Sequence, residues 1–117
     1  MLPNNRDAGF IWDMLQAIAK IQEFTASLSF EDYLDSVLVQ SAVERQLEIL
    51  GEAAGRISPD FRSTHSDINW RRIIGLRNIL IHRYDDIQQQ VVWEVLVSNL
   101  VPLRTQLEEC LPPLPES

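Results

Sequence analysis

Apolar residues recur every third or fourth position along most of this chain and never in sustained alternation, so the pattern is that of amphipathic helices rather than strands. A first helix is predicted over residues 7–27, with Ile11, Leu15, Ile18, Ile21, Phe24 and Leu28 sharing one face. Ser29 can cap a second, with Asp32 three residues later as its partner. The pattern breaks near Asp35 and resumes as "SVLVQSAVERQLEILGEAAGRI" to about Ile57, where Gly55 and "SPD" mark its end. Ser58 and Pro59 can start a short turn of helix through Arg62. "THSDINW" reads as a loop, with Asp67 or Asn69 capping the helix "WRRIIGLRNILIHRY". Asp85 and Asp86 interrupt, and "IQQQVVWEVLVSNLVPLRTQLEECL" forms a last helix that Pro102 should kink. Short links between long amphipathic helices make antiparallel neighbours, so the expected fold is all-α, an up-down bundle of four to five helices. The 117 residues suit one domain, ordered over about 7–110, with a proline-rich tail at 111–117.

One helix departs from simple amphipathicity. At about 100° per residue, Ile73, Leu76, Ile79 and Leu80 form the stripe expected to face the core. Ile74 and Ile81 fall on the other side, between Arg77 with Tyr84 and Asn78 with His82. A helix apolar on two sides is usually buried on two sides. A second copy of the chain related by a two-fold is the favoured cover, another element of the same chain the alternative. Asn78 and His82 are i,i+4 neighbours, whereas Arg77 and His82 diverge by about 140° on a straight helix. Two copies meeting at an axis could bring both pairs into one cleft. Taken singly, His82 near a helix C-terminus and an arginine pairing with Glu48 or Glu52 have ordinary structural explanations. The combination with Asn78 and Tyr84 is what points to chemistry.

Charge sharpens this picture. The chain carries −7, which argues against broad electrostatic grip on nucleic acid. Yet six of its ten basic residues, Arg56, Arg62, Arg71, Arg72, Arg77 and Arg83, lie between 56 and 83, opposed there only by Asp60 and Asp67. That is a local +4 suited to a phosphate-bearing target, unless the arginines simply pair with carboxylates of neighbouring helices. No 20-residue apolar run and no basic-then-apolar N-terminus exist, so neither a membrane span nor a signal peptide is expected, and the cytoplasm is the expected compartment. Cys110 has no partner for an internal disulfide and reads as a small core or surface residue. No HxxxH or CxxC pair occurs and His65 lies far from His82, so no metal site and no cofactor are expected. Trp12, Trp70 and Trp93 sit in apolar-periodic settings and read as core.

"RNILIHRY", an Arg-Asn pair, three residues, then His, any residue and Tyr, resembles the signature of HEPN-superfamily ribonucleases, most closely the HepT-like toxins partnered by MntA-type minimal nucleotidyltransferase antitoxins. "LEILGEAAGRISPDF" and "INWRRIIGLRN" extend the resemblance over most of residues 7–110; Arg83 and Gly55 depart from the usual pattern. The resemblance implies a HEPN-like bundle and a metal-independent endoribonuclease, a homodimer whose cleft is lined by both copies of the motif. His82 would act as general base or acid on the ribose 2′-OH or its leaving oxygen. Arg77 would hold the scissile phosphate through its fork. Asn78 would orient the imidazole or donate to a phosphate oxygen. Glu48 and Glu52, which share a helix face, could position Arg77, and Arg83 could alter phosphate or partner affinity. Tyr84 occupies the position at which the antitoxin attaches AMP, adding charge and bulk where RNA must sit.

Three functions therefore compete. The first is a ribonuclease toxin of a type VII toxin–antitoxin pair. The second is a non-cleaving helical subunit that docks on a nucleotidyltransferase and offers nucleotide or substrate contacts. The third is a dimerisation module carrying a fossil motif. The intact Arg77, Asn78 and His82 set favours the first, because a scaffold has no need of three polar side chains set among isoleucines.

Overall fold

The computed structural model describes residues 3–81 and 88–111, and among these it is all-helical. Its elements are α1 (Asn5–Thr25), α2 (Phe30–Leu34), α3 (Val37–Arg56), α4 (Pro59–Thr64), α5 (Trp70–Ile74), α6 (Leu76–Ile81), α7 (Gln89–Ser98) and α8 (Leu100–Cys110). Four rods result, namely α1, α3, the α5–α6 pair and the α7–α8 pair, with α2 and α4 as short connectors. The start of α1 is tied to the end of α3 by Asp7 and Ser58, and the start of α7 to the early part of α3 by Gln89 and Glu44. Successive rods thus alternate in direction, as the short links require.

The caps predicted at Ser29, Ser58 and Asn69 form, and Asn4 and Ser36 cap α1 and α3 without having been predicted. Ser29 and Asp32 form a reciprocal capping box, at 3.1 Å each way, and α2 stops at Leu34. Ser36 caps α3, Ser58 caps α4 with Pro59 in its first turn, and Asn69 rather than Asp67 caps α5. The core fills from every rod: Ile11, Met14, Ile18 and Ile21 meet Val43, Leu47, Leu50 and Ile57, with Phe61, Leu76, Leu80, Leu100 and Leu107 closing the sides.

Two predicted single helices are interrupted. Gly75 keeps helical angles (φ −68°, ψ −12°), and its N–H donates to the Arg71 carbonyl at 3.0 Å. Its own carbonyl accepts from the Asn78 N–H at 3.0 Å, an i,i+3 bond that tightens the rod by a fraction of a turn. In the last rod the break falls at Asn99 rather than at Pro102. Pro102 has no N–H to offer Ser98, its i−4 residue, and its ring crowds that carbonyl, so α7 ends at Ser98.

Burial corrects several sequence expectations. Trp70 is buried and Trp93 is half-buried against Phe30 and Tyr33, but Trp12 is 44 % exposed, one position off the stripe that Ile11 and Leu15 define. Phe24 sits in the last turn of α1 and is 37 % exposed. Ile79, expected in the core, is 40 % exposed, because it stands at the edge of the stripe that Ile73, Leu76 and Leu80 fill. Ile74 is half-buried against the chain's own core, so a second copy is not needed to cover most of it. The side chain of Ile81, the Asp85–Asp86 interruption and the tail beyond Leu111 lie outside the described residues.

One buried charge holds the corner of the bundle. Asp7, 2 % exposed in the first turn of α1, accepts from the Ser58 N–H at 2.9 Å and the Ser58 hydroxyl at 2.7 Å. Its own N–H donates to the capping Asn4 side chain at 2.7 Å. Asp7→Ala removes two charge-assisted bonds and strands two donors, so a loss of about 2–3 kcal/mol is expected, with Asp7→Asn costing less because it keeps one acceptor. Thermal unfolding of the two variants checks this: equal midpoints for Asp7→Ala and wild type would mean that the corner is held by packing alone.

Candidate active site

Arg77 and Asn78, the described residues of the motif, stand on α6, and what fixes α6 is its approach to α3. Gly51 on α3 is buried against the junction of α5 and α6. A Cβ at Gly51 would lie 3.1 Å from the Ile73 carbonyl oxygen and 3.3 Å from Arg77 Cγ. Glycine is thus the residue that lets the two backbones pack at this distance, and the aliphatic stem of Arg77 lies across it. The guanidinium end is left on the outside: Arg77 is exposed, and so is Asn78 beside it.

Neither Arg77 nor Asn78 makes a side-chain hydrogen bond or ion pair among the described residues. Glu48 and Glu52 do not supply one. Glu48 pairs with Arg45 at 3.3 Å and Glu52 with Arg56 at 2.9 Å, both along the exposed surface of α3. Such pairs contribute at most about 1 kcal/mol each, and they take up the two carboxylates that the sequence offered as partners for Arg77. A guanidinium without a carboxylate partner is available to an incoming phosphate. His82, Arg83 and Tyr84 lie outside the described residues.

The described chain resumes at the start of α7, where Gln89 is anchored. Tyr33 is fully buried, and its phenol donates to Gln89 Oε1 at 2.5 Å. Gln89 Nε2 in turn donates to Glu44 Oε2 at 2.7 Å. Burial, and secondarily the charge of Glu44, raises the Tyr33 phenol well above its ordinary range, so it remains a donor throughout the physiological range. Gln89 opens α7, and this relay therefore fixes the chain two residues after 82–87, as Gly51 fixes it before. The relay leaves no local signature, since Tyr33, Glu44 and Gln89 are far apart along the chain. Gly51 was visible only within the glycine-glutamate block and without a role.

Comparison with known proteins now decides the family. The profile described as "Ribonuclease HepT-like" matches residues 14–110. The chain belongs to the HepT-like family. It is a family of ribonucleases, and the all-helical fold agrees with its HEPN-type architecture. "Probable ribonuclease HepT" of Thermococcus cleftensis is 37 % identical over 100 residues, covering 86 % of this chain and 91 % of that protein. A candidate RNase of Methanocaldococcus jannaschii is 32 % identical over 99 residues, 85 % of this chain and 91 % of its own length. A further candidate RNase, from Caldanaerobacter subterraneus, is 32 % identical over 102 residues, 87 % of this chain and 91 % of its own. No solved structure matches. Among the described residues of this HepT-like chain, no helix is long and apolar enough to cross a membrane.

Proposed function

We propose that the chain is a metal-independent endoribonuclease toxin of a type VII HepT/MntA-like pair, acting in the cytoplasm as a homodimer. The observation that carries this reading is the exposed Arg77–Asn78 pair, without a carboxylate partner among the described residues and with the Arg77 stem against Gly51, in a chain of a ribonuclease family. In this reading the Arg77 fork binds the scissile phosphate and neutralises the charge that builds in the transition state. His82 takes the proton of the 2′-OH, whose oxygen attacks phosphorus as the 5′-oxygen leaves and is protonated. The products are a 2′,3′-cyclic phosphate and a free 5′-hydroxyl. Asn78 orients the imidazole or donates to a phosphate oxygen. In the dimer both motif copies line one cleft, and Ile79, exposed on the same helix, is the apolar residue best placed to meet a partner copy. The purified protein should cut RNA in EDTA and leave cyclic-phosphate ends; cleavage that vanishes in EDTA and returns with magnesium would contradict the mechanism.

Regulation of this site falls to Tyr84. The chain has two tyrosines, and Tyr33 is fully buried with its phenol bonded to Gln89, which leaves Tyr84 as the one to consider for modification by a nucleotidyltransferase. AMP groups there would place negative charge beside Arg77 and His82 and compete with RNA. Incubation with the cognate nucleotidyltransferase antitoxin, ATP and magnesium should attach AMP to the peptide containing Tyr84 and silence cleavage. Tyr84→Phe should escape silencing. Mass spectrometry that maps AMP to another residue removes Tyr84 from this role.

A further inference from the structure

Four arginines, Arg62, Arg71, Arg72 and Arg77, make no ion pair among the described residues, although the chain is strongly acidic. The ion pairs that do form among the described residues engage Arg45, Arg56 and Arg104. These four are all on α4, α5 and α6; Arg6, on α1, also lacks an ion pair among the described residues but lies over the Phe10 ring. Two of them, Arg62 and Arg71, line one open groove of about 480 Å³ between α4 and α5, together with Pro59, Ser63, Trp70 and Ile74. The Nε of Arg62 is buried and has no hydrogen-bond partner among the described residues. A buried donor without an acceptor is rare in a folded protein, and a groove with two unneutralised guanidinium groups and the Ser63 hydroxyl is short of an anion.

The groove lies on the side of the rod that carries Asn78. Arg71, Ile74 and Asn78 are spaced i, i+3 and i+7, so they follow one stripe of the α5–α6 rod, about 10 Å from end to end. Arg72 points elsewhere, into a separate small cavity lined by Leu50, Leu76 and Leu103. We propose that the Arg62–Arg71 groove is a subsite for a backbone phosphodiester of the RNA strand whose scissile phosphate lies at Arg77. This rests on the ribonuclease reading and adds to it: the strand runs along the α5–α6 stripe, held at a phosphate a short distance from the cut. The contact carries no base information, so it positions the strand without setting sequence preference.

The test uses the full chain and a 2′-O-methyl oligoribonucleotide, which binds but lacks the attacking hydroxyl. Arg71 is exposed, so Arg71→Gln leaves the fold intact and serves as the primary variant; Arg62→Gln and the pair follow. Arg71→Gln should weaken binding about tenfold at low salt and lower the slope of log affinity against log salt by roughly 0.7, the single-strand value for one phosphate. On cleavable RNA it should raise KM and leave kcat near wild type. Unchanged affinity and slope in Arg71→Gln, with wild type binding and cutting normally, overturns the groove while leaving the ribonuclease reading standing. Inorganic phosphate that binds tightly to wild type and not to the variant, with oligonucleotide binding equal in both, makes the groove a free-phosphate site and also overturns the proposal. A variant that keeps RNA affinity but no longer binds the nucleotidyltransferase makes the groove a protein-docking surface. Wild type that binds no RNA at all removes both readings together.

Discussion

RNA cleavage should fall by a factor of about 10²–10⁴ in His82→Ala, the range expected when a positioned proton-transfer group is removed. Arg77→Ala should be comparably damaging, because a fixed charge aimed at a developing phosphorane charge is worth a similar factor. Arg77→Lys keeps the charge but loses the planar fork, and it should recover only part of the activity. The structure adds a second expectation for Arg77. Its guanidinium is exposed and unpaired among the described residues, so Arg77→Ala loses the packing of its stem on Gly51 and should cost under about 1 kcal/mol of stability. A large loss of cleavage with an almost unchanged melting temperature is thus the signature of this residue. Full activity in either alanine variant, measured on enzyme free of the modified form, would leave the non-cleaving subunit as the better reading.

How much of this was legible beforehand differs by kind of feature. Rod number and three of the caps were readable because they depend on residues within a few positions of one another: Ser29 with Asp32, Ser58 before Pro59, Asn69 before Trp70. The interruptions were harder. Gly75 lies inside a strong helical pattern and keeps helical angles, so only its i,i+3 bond reveals the tightening. Pro102 announced a kink, but its consequence appears at Ser98 and Asn99, one turn upstream, because the lost bond and the crowded carbonyl belong to the i−4 residue. The proposed site reads from the sequence as a list, Arg77 and Asn78 with His82 and Tyr84, because a motif is local in sequence; of these the structure describes Arg77 and Asn78. Its support was not. Nothing along the chain says that Gly51 lies under Arg77, that Glu48 and Glu52 are occupied by Arg45 and Arg56, or that Arg62 and Arg71 share a groove. Those are contacts between rods, and periodicity specifies which face a residue takes without specifying what it meets there.

Gly51 offers the sharpest test of that support, because α3 carries its own control one turn away. At Gly55 an added Cβ meets nothing within 4 Å, so Gly55→Ala should stabilise the protein by up to about 1 kcal/mol through helix propensity and leave cleavage unchanged. At Gly51 the same methyl group meets the Ile73 carbonyl at 3.1 Å and Arg77 Cγ at 3.3 Å. The carbonyl belongs to the backbone of α5 and cannot yield without moving the rod. Arg77 is a flexible, exposed side chain and can rotate away at little cost. The propensity gain and the crowding then nearly cancel in stability, while the guanidinium is displaced from the place where it must meet the phosphate. A shift of the order of 1 Å in such a group can lower turnover by about 10²-fold. Gly51→Ala should therefore lose activity with a melting temperature close to wild type. Gly51→Val, too large for any side-chain adjustment, should separate α3 from α6 and destabilise the bundle outright, by about 1–3 kcal/mol or more. Paired melting curves and cleavage rates for the three variants decide the matter. If Gly51→Ala cuts RNA as well as Gly55→Ala does, the Gly51 contact holds the rods together and has no part in placing Arg77.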